Sequence, residues 1–231
     1  MKKVIEQLKG QVLISCQAYE DTPLYGPENM KKMAQSAILG GAKAVRSCWP
    51  QDVKAIRSIS KDLIIVGIYK RIVDGKEEGT YPIITPTFED AKSVIEAGCD
   101  IIALDCTIFP DRGKEEVRAL LKQIKDAYPD IAVMADIGRY EDAEFAASTG
   151  YVDIISSTLS EYYTHSGKVD ADFLGELKKI GLPVNAEGKI WDLQDMKEVI
   201  SQDPWCISIG SAVTRPQLIT ERFIRFNQDN R

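Results

Sequence analysis

Ile101-Ile102-Ala103-Leu104-Asp105 and Ile131-Ala132-Val133-Met134-Ala135-Asp136 are two apolar runs, each closed by an aspartate. Neither alternates polar with apolar residues. A nearly continuous apolar run suits a strand buried on both faces of a parallel sheet. Between them, Glu115 to Tyr128 sets Val117, Leu120, Leu121 and Ile124 at helical spacing and stops before Pro129. Strand, helix and second strand make one βα unit.

The same rhythm runs outward in both directions. Further apolar runs are Val12-Leu13-Ile14, Ala44-Val45, Leu63-Ile64-Ile65-Val66, Val152-Asp153-Ile154-Ile155, Pro183-Val184 and Cys206-Ile207-Ser208-Ile209. Strand candidates therefore begin near residues 12, 43, 63, 100, 131, 153, 183 and 206. Their spacing averages about 28 residues, the size of a βα unit. Helical patterns fill the gaps: from Pro27 to a stop at Gly40-Gly41, from an N-cap at Thr87 through Val94, Ile95 and Ala97, and over Asp172 to Ile180, Asp192 to Ile200 and Pro216 to Phe226. Eight units in 231 residues predict a single α/β domain over residues 1–231, a (β/α)8 TIM barrel. The rival is a doubly wound open sheet, which usually carries a Gly-rich first turn; Cys16-Gln17-Ala18-Tyr19 is not one. No Pro/Ser-rich linker divides the chain.

Composition removes several function classes. With 29 Lys+Arg against 35 Asp+Glu, the net charge is −6, which speaks against a nucleic-acid binder but leaves room for a local cationic pocket. No apolar run approaches the ~18 residues of a membrane helix, and the start, Met1-Lys2-Lys3-Val4-Ile5-Glu6, has no apolar signal region. The five cysteines (Cys16, Cys48, Cys99, Cys106, Cys206) are scattered without a CxxC and predict buried, reduced thiols and a cytoplasmic location. The single histidine, His165, reads as part of a surface loop, and histidine-rich zinc sites are excluded. Trp49, Trp191 and Trp205 read as packing residues or interface anchors.

In a barrel, chemistry collects at the C-terminal ends of the strands. The polar residues there are Gln17, Arg46, Lys70-Arg71, Asp105, Asp136, Ser157-Thr158, Glu187 and Gly210-Ser211. Lys70 ends Val66-Gly67-Ile68-Tyr69-Lys70, so burial is expected to lower its pKa and make it a base near neutral pH. A structural ion pair at the rim is the alternative. Glu187 and Asp136 end apolar strands and are hard to explain as packing, whereas Asp105 reads equally well as a cap on backbone amides. No DxD spacing or histidine partner supports a metal. Gly210-Ser211, Arg215, Gly188 and Lys189 follow strands 7 and 8, where barrels commonly bind phosphate; a plain turn into the last helix is the alternative.

These residues resemble the N-acylglucosamine-6-phosphate 2-epimerases, which act on N-acetylmannosamine 6-phosphate in bacterial sialic-acid catabolism. The likeness runs from Ser15-Cys16-Gln17-Ala18 to Arg222-Phe223. It includes Gly40-Gly41-Ala42 through Val45-Arg46, Gly67-Ile68-Tyr69-Lys70-Arg71, Ile84-Thr85-Pro86-Thr87 and Ile102-Ala103-Leu104-Asp105. It continues with Met134-Ala135-Asp136-Ile137, Ser157-Thr158-Leu159-Ser160, Ala186-Glu187-Gly188 and Ala212-Val213-Thr214-Arg215-Pro216.

The resemblance implies that Lys70 moves the proton on carbon 2 and that Glu187 assists. It implies that Gln17, Arg46, Asp136 and Thr158 meet the sugar, and that Gly188, Lys189, Gly210, Ser211 and Arg215 form the phosphate end. No metal, nicotinamide or flavin cofactor is expected. The expected partner is a phosphorylated amino sugar, with no nucleic acid or membrane, in a homodimer. Three segments depart from the family. Glu187-Gly188-Lys189 stands where the family reads Glu-Gly-Arg, a point charge in place of a forked donor. Cys106-Thr107-Ile108-Phe109-Pro110-Asp111-Arg112 and Glu161-Tyr162-Tyr163 replace its usual loops. Two other readings stand beside this one: another phosphate-barrel isomerase or decarboxylase, whose Asp-x-Lys-x-x-Asp signature is missing around Lys70, and a non-catalytic phosphosugar sensor.

Overall fold

Eight parallel strands follow one another in sequence order and close on themselves: β1 (Val12–Cys16), β2 (Ala44–Cys48), β3 (Ile64–Ile68), β4 (Ile101–Asp105), β5 (Ala132–Asp136), β6 (Ile154–Ser156), β7 (Val184–Glu187) and β8 (Cys206–Ile209). The computed structural model describes residues 1–164 and 169–231, so His165 lies outside the described residues. Closure is made by β1 and β8, with Leu13 opposite Ser208 and Ile14 opposite Ile209. The fold is the (β/α)8 barrel expected from the strand rhythm.

Among the described residues the helices are α1 (Lys3–Gln7), α2 (Pro27–Leu39), α3 (Pro50–Arg57), α4 (Phe88–Glu96), α5 (Lys114–Ala127), α6 (Tyr140–Ser148), α7 (Glu161–Thr164), α8 (Ala171–Leu177), α9 (Leu193–Ser201), α10 (Ser211–Thr214) and α11 (Pro216–Asp229). Local chemistry explains several starts. Proline opens α2, α3 and α11, where its missing N–H costs nothing. The side chains of Thr87, Asp170 and Asp192 accept backbone N–H bonds at the starts of α4, α8 and α9. The sequence patterns missed α1, α3, α6, α7 and α10; the first three are short helices that bury only one to four residues each, too few to imprint a period.

Strands buried on both faces feed two apolar layers. Ile102, Leu104, Val133, Ala135 and Ile155 point outward against the helices. Leu13, Ala44, Val66, Ile101, Ala103, Ala132, Met134 and Ile154 fill the interior. Side chains alternate along a strand, so position 46 falls on the interior face with 44, 136 with 132 and 134, and 158 with 154. The interior is thus apolar at the N-terminal end and polar at the C-terminal end. That places the site.

α11 is the exception among the outer helices. None of its residues is buried, and Phe223 and Phe226 are 74% and 70% exposed. No helix among the described residues is long and apolar enough to cross a membrane.

Candidate active site

Arg46 anchors the floor of the polar end. It is fully buried, and its guanidinium forks onto Asp136, with Nη2 to Oδ2 at 2.7 Å and Nη1 to Oδ1 at 3.0 Å. Nη1 also reaches Glu187 Oε2 at 3.0 Å. Thr158 Oγ1 donates to Asp136 Oδ1 at 2.7 Å and lies 3.3 Å from Glu187 Oε2. Asn185 Nδ2 donates to the same Glu187 oxygen at 3.3 Å. The backbone of Glu187 is pinned by Ser157, whose hydroxyl accepts its N–H and donates to its carbonyl. Among the described residues, every hydrogen bond to the Glu187 carboxylate arrives at Oε2, which leaves Oε1 for a ligand.

One cation faces two carboxylates here, and the charges are buried. Burial and the neighbouring Asp136 push the Glu187 carboxyl up, against the pull of Arg46, Lys70 and Thr158. For Arg46, burial works against the charge, but Asp136 and Glu187 outweigh it and hold the guanidinium cationic.

Lys70 comes from just beyond β3. Its N–H lies 3.4 Å from Cys48 Sγ, its carbonyl accepts from the Trp49 indole at 3.1 Å, and its Nζ donates to Tyr19 Oη at 2.7 Å. The expected downward shift of its pKa is corrected by the structure. Burial does lower it, but the Tyr19 oxygen, with Cys48 and Glu78 nearby, more than offsets that effect and holds the ammonium above the ordinary lysine range. Among the described residues no ion pair joins Lys70 to Glu187.

A cavity of about 270 Å³ opens above this floor. Gln17, Lys70, Thr158 and Glu187 line it, together with Gly188, Lys189, Gly210, Ser211 and Arg215, which follow β7 and β8. Gly188 has φ +113°, a conformation that requires glycine, and Lys189 follows at φ +53°. Gly210 caps α10, whose first N–H groups have no intrahelical acceptor. No carboxylate among the described residues pairs with Arg215; its guanidinium lies 5.0 Å from the Tyr19 ring centroid. Gln17 Nε2 donates to Ser15 Oγ at 2.6 Å, which fixes its amide.

Nine of the eleven predicted site residues therefore share one cavity. Arg46 and Asp136 lie beneath it and reach it through Glu187. The positive charge of Arg46 is balanced by Asp136 and Glu187, while Lys70, Lys189 and Arg215 line the cavity. Asp105 proves to be a cap: its oxygens accept the N–H groups of Thr107 and Ile83, and burial pushes its carboxyl up to about 7. Arg71 turns outward onto Asp90. The five cysteines are free and buried. Tyr19, Glu78, Tyr162, Trp191 and Ser208 also line the cavity. Tyr19 and Glu78 sit on loops without periodicity, Tyr162 lies in the four-residue α7, and Ser208 interrupts an apolar strand, so no pattern singled them out; Trp191, read as a packing residue or interface anchor, lines the cavity instead.

The chain matches over residues 30–229 the sequence profile of a family described as "Putative N-acetylmannosamine-6-phosphate epimerase". The chain belongs to this epimerase family. As a member it is an isomerase, a carbohydrate epimerase. A relative from Caldanaerobacter subterraneus subsp. tengcongensis, bearing the 2-epimerase form of that name, is 38% identical over 99% of this chain and 95% of its own. One from Listeria monocytogenes serotype 4b, named likewise, is 37% identical over 95% of each. The solved N-acetylmannosamine-6-phosphate 2-epimerase of Clostridium perfringens superposes with a TM-score of 0.85 at 35% identity, covering 96% of this chain and 95% of that one.

Proposed function

We propose that this epimerase, acting as one barrel domain over residues 1–231, interconverts N-acetylmannosamine 6-phosphate and N-acetylglucosamine 6-phosphate in cytoplasmic amino-sugar catabolism. The observation that carries the reading is a single cavity lined both by Lys70 and Glu187 and by Gly188, Lys189, Gly210, Ser211 and Arg215. The second group takes the phosphate, with backbone N–H groups of α10 and the forked Arg215 as donors. Anchored there, an extended open-chain sugar lays carbon 2 toward Lys70.

Carbon 2 lies next to the aldehyde, so its proton can leave and the electron pair spreads onto the aldehyde oxygen as an enolate. Lys70 takes that proton as the neutral amine, a form that, with the pKa of its ammonium raised, becomes more abundant toward alkaline pH. Gln17 and Thr158 hold the sugar hydroxyls and amide, and Glu187, aimed by Arg46 and Asp136, assists return of a proton to the opposite face. The raised Glu187 carboxyl suits a group that carries a proton part of the time. One stereocentre is inverted.

Lys70→Ala tests the assignment. It is expected to lower deuterium incorporation at carbon 2 in D2O, followed by proton NMR, by about 10²–10⁴-fold while the thermal midpoint is kept. Full exchange in the variant would remove Lys70 from the reaction. Failure of the native protein to convert N-acetylmannosamine 6-phosphate would remove the substrate.

The quaternary reading is a homodimer in which a second copy covers α11. Phe223, Ile224 and Phe226 are exposed on this helix, and Gln11, Val12, Ile14, Met33, Ala37 and Val213 line an uncovered groove on the barrel. Phe223→Asp with Phe226→Asp is expected to halve the mass in analytical ultracentrifugation. An unchanged dimer would place the interface elsewhere, and a monomeric native protein would remove it.

A further inference from the structure

Tyr19 stands between the two cations on which the proposed reaction depends. Its hydroxyl oxygen accepts from Lys70 Nζ at 2.7 Å, while the Arg215 guanidinium lies 5.0 Å from its ring centroid. The residue is held firmly for a loop position. Thr22 donates to the Tyr19 carbonyl from both its N–H, at 2.9 Å, and its hydroxyl, at 2.7 Å. Trp49 meets the Tyr19 ring edge-on with centroids 6.2 Å apart, and the Trp49 indole bonds the Lys70 carbonyl. Trp49 itself sits at φ +65°, costly for a bulky residue, and such strain persists where surroundings over-determine the backbone. Three contacts thus tie one phenol to the lysine, the arginine and a strained tryptophan.

We infer that Tyr19 is a positioning residue for the epimerisation, aiming Lys70 into the cavity through its hydroxyl and holding Arg215 over the phosphate end through its ring. The inference rests on the roles proposed above for Lys70 and Arg215. Without a partner, a lysine on four rotatable bonds samples many directions; a phenol at 2.7 Å selects one. The ring supplies an attractive face to Arg215 without neutralising it, so the arginine keeps its full charge for an anion.

The hydroxyl has a second consequence. The groups facing Lys70 are Tyr19 from the β1–α2 loop, Cys48 from β2, Glu78 from the segment after β3, and Glu187 from β7. Tyr19 is the partner in direct hydrogen-bond contact with the ammonium. Removing its oxygen removes a contact that favours the charged form, so Lys70 gives up its proton at lower pH.

The test compares Tyr19→Phe, which deletes only the oxygen, with Tyr19→Leu, which also deletes the ring. In Tyr19→Phe the acid limb of kcat/KM, where Lys70 becomes neutral, is expected to move down by about half to one pH unit, with KM unchanged. Tyr19→Leu is expected to show the same limb shift and, in addition, a KM raised about two- to fivefold. Titration of the Lys70 ¹³Cε resonance in substrate-free Tyr19→Phe gives the limb shift without turnover. A limb that does not move overturns the role toward Lys70, and equal KM in the two variants overturns the role toward Arg215. Lys70→Ala, measured alongside, separates these failures from failure of the base assignment: retained exchange there overturns the assignment itself.

Discussion

The Arg46–Asp136–Glu187 floor and the Lys70–Tyr19–Arg215 rim occupy the same end of the barrel and are built in opposite ways. The floor is carried by β2, β5 and β7, and the side chains of Arg46 and Asp136 have no exposure at all. Its hydrogen bonds are forked and mutual, so each member fixes the others. The rim is carried by residues beyond strand ends, part-exposed, and joined by one hydrogen bond and two contacts to the Tyr19 ring. The floor is prearranged by the sheet and does not need a ligand to hold its shape. The rim keeps its place through the contacts of one residue, Tyr19. In the proposed reaction the two meet at the substrate, with Lys70 from the rim and Glu187 from the floor.

The sharpest way to break this contrast is Arg46→Ala. Removing one partner of a buried charge network strands two carboxylates, which costs about 3–5 kcal/mol. A chain of this size then melts on the order of 10 °C lower in a thermal scan. A loss under about 1 kcal/mol would show that the floor is not a closed unit.

Arg215→Ala probes the rim on a smaller scale. Loss of charge-assisted bonds to phosphate is worth about 1.5–3 kcal/mol, or tenfold and more in KM, with the melting temperature nearly unchanged. An unaltered KM would take Arg215 out of the phosphate end. A small change in stability is also expected from replacing the floor entirely, with Arg46→Met, Asp136→Leu and Glu187→Met together. Because such networks scarcely exceed an apolar core in net stability, the triple variant should melt within a few degrees of the native protein. Its carbon 2 exchange should be lost. A triple variant as unstable as Arg46→Ala would mean that the charges hold the barrel together.

Much of this architecture was legible before folding was considered. All eight strands lie where the apolar runs place them, because a strand buried on both faces leaves little choice of residue. Of the residues after those runs, Gln17, Lys70, Thr158, Glu187, Gly210 and Ser211 line the cavity, since strand ends and cavity mouth coincide in a barrel. Other features were not legible. Arg71 and Lys70 are neighbours in sequence, yet one turns out onto Asp90 and the other into the cavity, as side-chain alternation requires once the inward face is known. The pKa of Lys70 moved against expectation because burial was visible in its sequence context and its Tyr19 partner, 51 residues away, was not. Asp105 looks like Asp136 in sequence, and only the neighbouring backbone amides make it a cap.

What the sequence determines by itself is the alternation: which segments are strands, which are helices, and which residue types arrive at the open end. These follow from local rules, since propensity and burial act over a few residues at a time. What the tertiary structure alone decides is which of those residues meet. Arg46 finds Asp136 across 90 residues and Glu187 across 141, and no local spacing encodes either pairing. Sheet closure and strand register bring them within 3.0 Å, and once they are buried together each charge depends on the others.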